Sequence, residues 1–441
     1  MKFGVFFELQ MAKPWSEDQE YELYRDALDQ AELADQIGVQ YCWAQEHHFL
    51  EEYSHSTAPE VFLAAVSQRT KNMRLGHGVA LMPPRFNHPA RIAERIAALD
   101  LVSGGRVEWG TGESSSRIEL EGFEVNYVEK RSMWAEALRE TAKMMCSTPY
   151  KGYSGRYFSM PSRNIVPKPR QKPHPPIWVA CTNRDTMKLA ARLGLGALTF
   201  SFMDANEAKY WVEEYYEIFE REANPIGRAV NPNIAMLGGL MCHPDDAVAR
   251  ARGIEGQQFF KYGLAHYYRF GAHVPGRSRI WDNFKSAPIE PMAGLAGVGS
   301  PAQIADTFGA LEEAGVDQVI LLQQAAGYQQ AHIMESLALF GASVLPAFVE
   351  RDLEASRRKS ARLQPAIAAA EARIKPLDAF EPPVVEAYPL LWQQAGLKEE
   401  MTPKRSLEGG AFWKLHTSAN TVPADGSAPR RAEIEEGGTK A

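Results

Sequence analysis

The stretch Val39-Gln40-Tyr41-Cys42-Trp43-Ala44-Gln45-Glu46-His47-His48-Phe49 decides how this chain is read. It opens as a short apolar run rich in β-forming residues and ends abruptly in a carboxylate and two imidazoles. A strand that breaks straight into Glu-His-His has the form of a barrel strand delivering side chains from its C-terminal end. Imidazole is the side chain best suited to acid/base work near neutral pH. The competing reading makes the histidines strand caps that merely hydrogen-bond a neighbour.

Working outward, residues 2–8 form a first strand apolar enough for burial on both faces. Residues 18–37 have helical spacing, with Gly38 where a left-handed C-terminal residue is wanted. After the Glu-His-His strand come a helix over 58–69, a third strand over 73–82 and a helix from Pro89 to Val102. Strand four spans 106–110, followed by a long loop and a helix over 131–146. Residues 149–176 are proline-rich, with a hairpin around Tyr153–Phe158. Strands at 177–181, 197–202, 234–242 and 318–322 alternate with helices at 185–193, 206–222, 245–262, 301–314 and 329–348. Eight strands alternating with helices fit an α/β fold, a (β/α)8 TIM barrel with insertions and a C-terminal extension. A doubly wound open sheet is the competitor, but Gly-x-Gly-x-x-Gly is absent after the first strand. Three segments are expected: a barrel over 1–350, a partly helical extension over 351–416 and a disordered tail over 417–441. Pro365 is expected to interrupt helix in the extension, and Pro382–Leu397 to dock as a short arm.

With 45% hydrophobic residues the 441-residue chain can bury a large core, and its formal charge of −7 is mild. Lys and Arg are scattered, which argues against nucleic acid or an anionic membrane surface as partner. Four cysteines lie far apart and read as reduced thiols of a cytoplasmic protein.

The C-terminal strand ends bring together Glu8, then Glu46, His47 and His48, then Gly78-Val79, then Gly110 to Ser114, then Cys181 to Arg184, then Phe200 to Phe202. This mixture of polar rim, glycine gaps and aromatic planes suits a large, flat, phosphorylated cofactor. Thr182-Asn183-Arg184 opens a helix, and amide N–H groups with a hydroxyl and a guanidinium there make an anion site. An ordinary helix N-cap is the alternative. A metal site from Glu46, His47, His48 and His55 matches no zinc spacing, so no metal is expected.

Further motifs are Met1-Lys2-Phe3-Gly4, His88-Pro89 with Asp100, Ser103-Gly104-Gly105-Arg106, Pro167-Lys168-Pro169, Pro175-Pro176-Ile177-Trp178-Val179-Ala180 and Gly299-Ser300-Pro301. Together with Glu46-His47-His48-Phe49, in this order, they resemble the bacterial luciferase-like, flavin-dependent monooxygenase family. The resemblance implies that His47 stands beside the flavin C4a region, stabilises a C4a-peroxide and transfers protons, with Glu46 flanking the ring. It implies a non-proline cis peptide at Gly78-Val79, which costs about 3–4 kcal/mol. It also implies FMN phosphate contacts from Arg131 and Thr182, next to Asn183.

Where luciferases place Cys-Arg after strand four, this chain has Gly112-Glu113, so a guanidinium is replaced by a carboxylate. Arg184 is expected to supply the missing charge. Cys181 replaces a luciferase glutamate, and the tryptophan of strand six is absent, with Phe200 and Phe202 nearby. These departures put light emission itself in question.

The activity so implied is a two-component monooxygenase. Reduced FMN from a separate NAD(P)H:flavin reductase and O2 would insert one oxygen atom into a small apolar organic substrate. The irregular 263–299 segment, with Tyr267, Tyr268, Phe270 and Trp281, is the expected lid. Family resemblance further implies a homodimer or homotetramer. Two rivals remain open: hydride transfer with the deazaflavin F420 on the same barrel, and a non-catalytic flavin-binding subunit.

Overall fold

Eight parallel strands close on themselves in the computed structural model, which describes residues 1–200, 203–287 and 297–385. They are β1 (Lys2–Phe7), β2 (Tyr41–Ala44), β3 (Arg74–His77), β4 (Val107–Gly112), β5 (Ile177–Cys181), β6 (Gly196–Thr199), β7 (Ile234–Gly239) and β8 (Gln318–Leu322). Each pairs with the next in sequence, and Lys2 opposite Gln318 brings β8 back to β1. The expected barrel is what forms.

Alternation along β1 shows why the strands read as continuous apolar runs. Phe3, Val5 and Phe7 belong to the core between barrel and helices, whereas Phe6 belongs to the cluster inside the barrel. That interior is filled by two tryptophans crossing edge to face, Trp43 and Trp178, with ring centroids 5.5 Å apart. Gly76 and Gly196 make room for them. A Cβ on Gly76 would stand 2.1 Å from the Trp43 ring, and one on Gly196 would stand 2.4 Å from Trp178. Each indole N–H is satisfied: Trp43 donates to Gln318 at 3.1 Å and Trp178 to Glu108 at 2.6 Å. Arg74 in turn pairs with Glu108.

The flanking helices are α1 (Gln19–Gln36), α2 (Pro59–Arg69), α3 (Pro89–Val102), α4 (Arg117–Gly122), α5 (Lys130–Cys146), α6 (Arg184–Arg192), α7 (Ala205–Glu222), α8 (Asp246–Ala265), α9 (Ile280–Ser286), α10 (Pro301–Glu313), α11 (Gln330–Ser343) and α12 (Leu345–Glu371). The hairpin expected at 153–158 is present as Tyr153–Ser154 against Ser159–Met160.

Five local readings change. The single strand over 73–82 is two pieces, because after His77 the chain leaves β3 and Ala80–Leu81 pairs with the end of β4. The loop before α5 contains the short helix α4, and the segment after 263 contains a π-helical turn, His266–Phe270, and α9. The last long helix breaks at Val344, and α12 then continues through Pro365, which sits on an exposed position where its ring meets solvent. Ser201 and Phe202, residues 288–296 of the expected lid, residues 386–397 of the expected arm and the tail over 417–441 lie outside the described residues.

Residues Met1–Pro382 form one unit, in which α12 lies across the N-terminal ends of the strands. Lys359 Nζ reaches Asp317 and Asn233, the residues before β8 and β7, at 2.6 Å each. Lys2 pairs with Asp352 at 3.0 Å, and Phe348 packs edge-on against Phe3. At this end α12 packs over the strand starts, whereas the loops that carry Glu8, Glu46 and His47 lie at the opposite, C-terminal end, where barrels of this kind place their chemistry.

Candidate active site

A cavity of about 570 Å³ opens at the C-terminal ends of the strands. It falls in the range of small-molecule sites, roughly 300–1,000 Å³. Glu8 follows β1 and His47 follows β2, so adjacent parallel strands put both side chains on the same wall. His47 Nδ1 is 2.9 Å from Glu119 Oε1, and its Nε2 is 3.4 Å from Glu8 Oε1. Glu119 is fully buried. It accepts from His48 N at 2.9 Å and from Ser114 Oγ, so its ionised form is well held.

Burial alone would depress the basicity of His47. The carboxylates of Glu119 and Glu8 overcome it and push the imidazole up to about 9. Burial dominates at Glu8 instead and raises its carboxyl to about 7, with His47 opposing. Glu119 goes the other way: burial raises it, but His47 and its hydrogen bonds bring it below the usual carboxylate range. At neutral pH His47 is therefore an imidazolium, not the half-titrated base its ordinary value suggests. Tyr53 and Tyr268 enclose it, with ring centroids 5.8 and 6.4 Å away. Tyr268 comes from the π-helical turn, a local feature often found at functional sites.

The other two residues of the Glu-His-His end have different work. Glu46 accepts from Leu81 N at 2.7 Å and Asn87 Nδ2 at 2.8 Å, so it ties the end of β2 to the 80–87 loop while lining the cavity. His48 turns away, its Nε2 3.2 Å from Glu46 and its ring against Phe123. His47 and His48 thus diverge.

On the opposite side Thr182, Asn183 and Thr186 line the cavity at the start of α6. Asn183 is the N-cap and accepts from Thr186 N at 3.0 Å, which preserves the helix-cap reading and leaves the Thr182 hydroxyl on the exposed edge. Arg131, from the first turn of α5, reaches the cavity and is held bidentately by Glu113 at 2.6 and 2.9 Å. The carboxylate at the luciferase arginine position thus anchors a guanidinium, with Lys130 beside it at 3.0 Å.

Two expectations are corrected. Arg184 does not supply charge to the cavity: its Nε donates to Glu214 on α7 at 2.6 Å, because its helical position faces the neighbouring helix. The Gly78-Val79 peptide is not cis. Among the described residues the cis bonds all precede prolines, and a trans bond is cheaper by about 3–4 kcal/mol. Gly78 N instead donates to Ala44 O at 2.7 Å, and of the pair only Val79 lines the cavity.

Glu119 is the functional residue that the sequence reading missed, because the segment was taken as loop. Its signal is Ser116-x-x-Glu119, the pattern of a helix start. Ser116 makes no side-chain cap bond, and the glutamate serves His47 and His48 instead. Glu8 stood among the strand ends but carried no assigned role.

A closed parallel barrel with a buried histidine–carboxylate array at the C-terminal ends of its strands defines an enzyme of the TIM-barrel class. More specifically, residues 1–318 match the model of the luciferase-like monooxygenases, and the chain belongs to that family. The oxygenase component of the flavin-dependent trigonelline monooxygenase of Acinetobacter baylyi is 28% identical over 201 residues, 44% of this chain and 52% of that one. The F420-dependent hydroxymycolic acid dehydrogenase of Mycobacterium tuberculosis is 30% identical over 183 residues, 41% of this chain and 49% of that one. This chain thus spans about half the length of either relative. The fold matches the oxygenating constituent of 3,6-diketocamphane monooxygenase from Pseudomonas putida, solved in complex with FMN. That match has a TM-score of 0.62 at 21% identity, covering 78% of this chain and 98% of the other. The family includes flavin-dependent monooxygenases and F420-dependent oxidoreductases.

Proposed function

We propose that the protein is the oxygenase of a two-component, FMN-dependent monooxygenase. Reduced FMN would come from a separate NAD(P)H:flavin reductase, and the substrate would be a small apolar organic molecule. The observation that carries this reading is the cavity's polarity: His47 between two carboxylates on one wall, and Arg131, Thr182 and Asn183 on the other. Its residues fit a flat, phosphorylated ring system. A Cβ at Gly112 would come within 2.4 Å of Val79 Cγ2, so the glycine keeps that wall thin. Arg131 with the Thr182 hydroxyl would hold a phosphate, and Val79, Leu81, Val179 and Ala180 offer an apolar surface for a ring.

When bound, reduced FMN supplies the electrons that activate O2 for insertion of one oxygen atom. The chain's own part is positioning, electrostatics and exclusion of water. The His47 imidazolium stabilises negative charge developing at its wall, and Tyr53, Phe260, Leu264 and Tyr268 keep that end apolar. Residues 263–287, carrying the π-helical turn and α9, form the side of a lid over it. No single described helix is long and apolar enough to cross a membrane, and we place the protein in the cytoplasm. A homodimer or homotetramer is the assembly that the resemblance supports.

The F420-dependent relative favours a second reading, hydride transfer without oxygen. Titrating purified protein with reduced FMN and with reduced F420 under anaerobic conditions separates the two. Tighter binding of reduced FMN, lost by at least about tenfold in Arg131→Ala, supports the monooxygenase. Binding of F420 alone overturns it. With FMN bound, His47→Ala should slow turnover of an accepted substrate by roughly 10²–10³-fold, the cost of losing one electrostatic stabiliser.

A further inference from the structure

Glu8 is 1% exposed, yet its Oε1 accepts no hydrogen bond among the described residues. Glu8 lines the cavity, and His47 Nε2 stands 3.4 Å from that oxygen. The groups facing it are His47 after β2, Tyr53 and Ser54 on the turn that follows, Glu119 on α4 and Tyr268 on the π-helical turn. Only His47 among these carries positive charge, and Glu119 has already claimed its other nitrogen at 2.9 Å. A buried carboxylate with so little support favours its protonated form, and a protonated carboxyl is a donor without an acceptor here. An imidazolium, by contrast, has no lone pair with which to accept a proton.

We propose that Glu8 exchanges the proton with the ligand at this centre, while His47 remains a fixed cation beside it. For the identity of the ligand this rests on the flavin reading; for the ionisation of Glu8 and His47 it does not. In the forward step the O–H bond of Glu8 breaks as the proton bonds to a basic atom of the ligand. The carboxylate left behind is stabilised by the His47 imidazolium. In the reverse step the carboxylate takes a proton from the ligand. No electron moves in either direction. The titration of Glu8 at about 7 puts both forms within reach at neutral pH.

The test has a ligand-free arm and a loaded arm. In the ligand-free protein, infrared spectra across pH should show a carboxyl C=O band that titrates near pH 7 and is missing in Glu8→Gln. Nitrogen-15 spectra of labelled histidine should show His47 doubly protonated well above its ordinary value of 6.5. Absence of that band, or His47 losing its proton near 6.5, would overturn the proposal. In the loaded arm, reduced FMN bound to the protein is mixed with O2, and its oxidation to FMN with release of H2O2 is followed across pH. The wild-type rate should inflect near pH 7, and Glu8→Gln should lose the inflection with a rate change of roughly 10²-fold. Glu8→Asp should restore it at a shifted pH. An inflection kept in Glu8→Gln counts against the proposal. Failure of reduced FMN to bind would overturn the flavin reading instead, and the ligand-free spectra would still decide Glu8.

Discussion

His47 is the residue at which sequence and environment disagree most. Its ordinary value of 6.5 makes it a neutral-pH base, and two buried carboxylates move it to about 9. The folded chain therefore binds this proton more tightly than the unfolded chain. The stabilisation is fully present below pH 6.5 and is lost as pH rises through about 9. We expect the unfolding free energy to fall across that window by up to about 3 kcal/mol. Urea denaturation at a series of pH values measures it, and Glu119→Gln should flatten the slope because the strongest ion-pair partner is gone. A slope unchanged in that variant would show that Glu119 does not set the proton affinity of His47. The pairing was beyond linear reading, since 72 residues separate His47 from Glu119 and 39 separate it from Glu8.

The elements follow from patterning where the pattern is strong, and from packing where it is not. Continuous apolar runs mark β1, β5 and β8 at their observed positions, and Ser300 with Gln303 forms the capping box that starts α10. Gly76 shows the limit of pattern: an isolated strand glycine reads as a weakness, but here it holds the space taken by the Trp43 ring. Gly76→Ala should destabilise the barrel by about 3 kcal/mol or fail to fold, as chemical denaturation would show. The opposite sign is expected at Pro365. It sits on an exposed position inside α12, where proline removes a helix hydrogen bond. Pro365→Ala should therefore stabilise the protein by up to about 3 kcal/mol. An unaltered melting temperature would mean that the helix is already relaxed around the ring.

The whole molecule divides its labour between the two ends of the barrel. Several motifs that carry the family resemblance are framework at or near the N-terminal end. Arg106 ties the end of α2 to the start of β3 through the carbonyls of Ser67, Thr70 and Met73. Asp100 holds Gln171 through its N–H and its side-chain amide at 2.8 and 2.7 Å. Substitution at this end should cost stability and spare chemistry. Lys359→Ala, which removes the bonds from α12 to Asp317 and Asn233, should cost about 1–2 kcal/mol in denaturation. The same variant should bind reduced FMN as tightly as the parent. Weakened binding would mean that the packing of α12 at one end of the barrel reaches the cavity at the other.

Local pattern determined the eight strands, their order and the place of His47 at a C-terminal strand end, because hydrophobic period and turn chemistry act over a few residues. The helix start brought Thr182 and Asn183 into view and the family resemblance added Arg131, and the structure brings all three to the lining of the same cavity as His47. Only the tertiary structure decided which charges meet. It turned Arg184 to Glu214, gave Arg131 to Glu113 and set His47 between Glu8 and Glu119. Ionisation follows burial and charges a few ångströms away, and those neighbours are chosen by the closing of the barrel rather than by proximity along the chain.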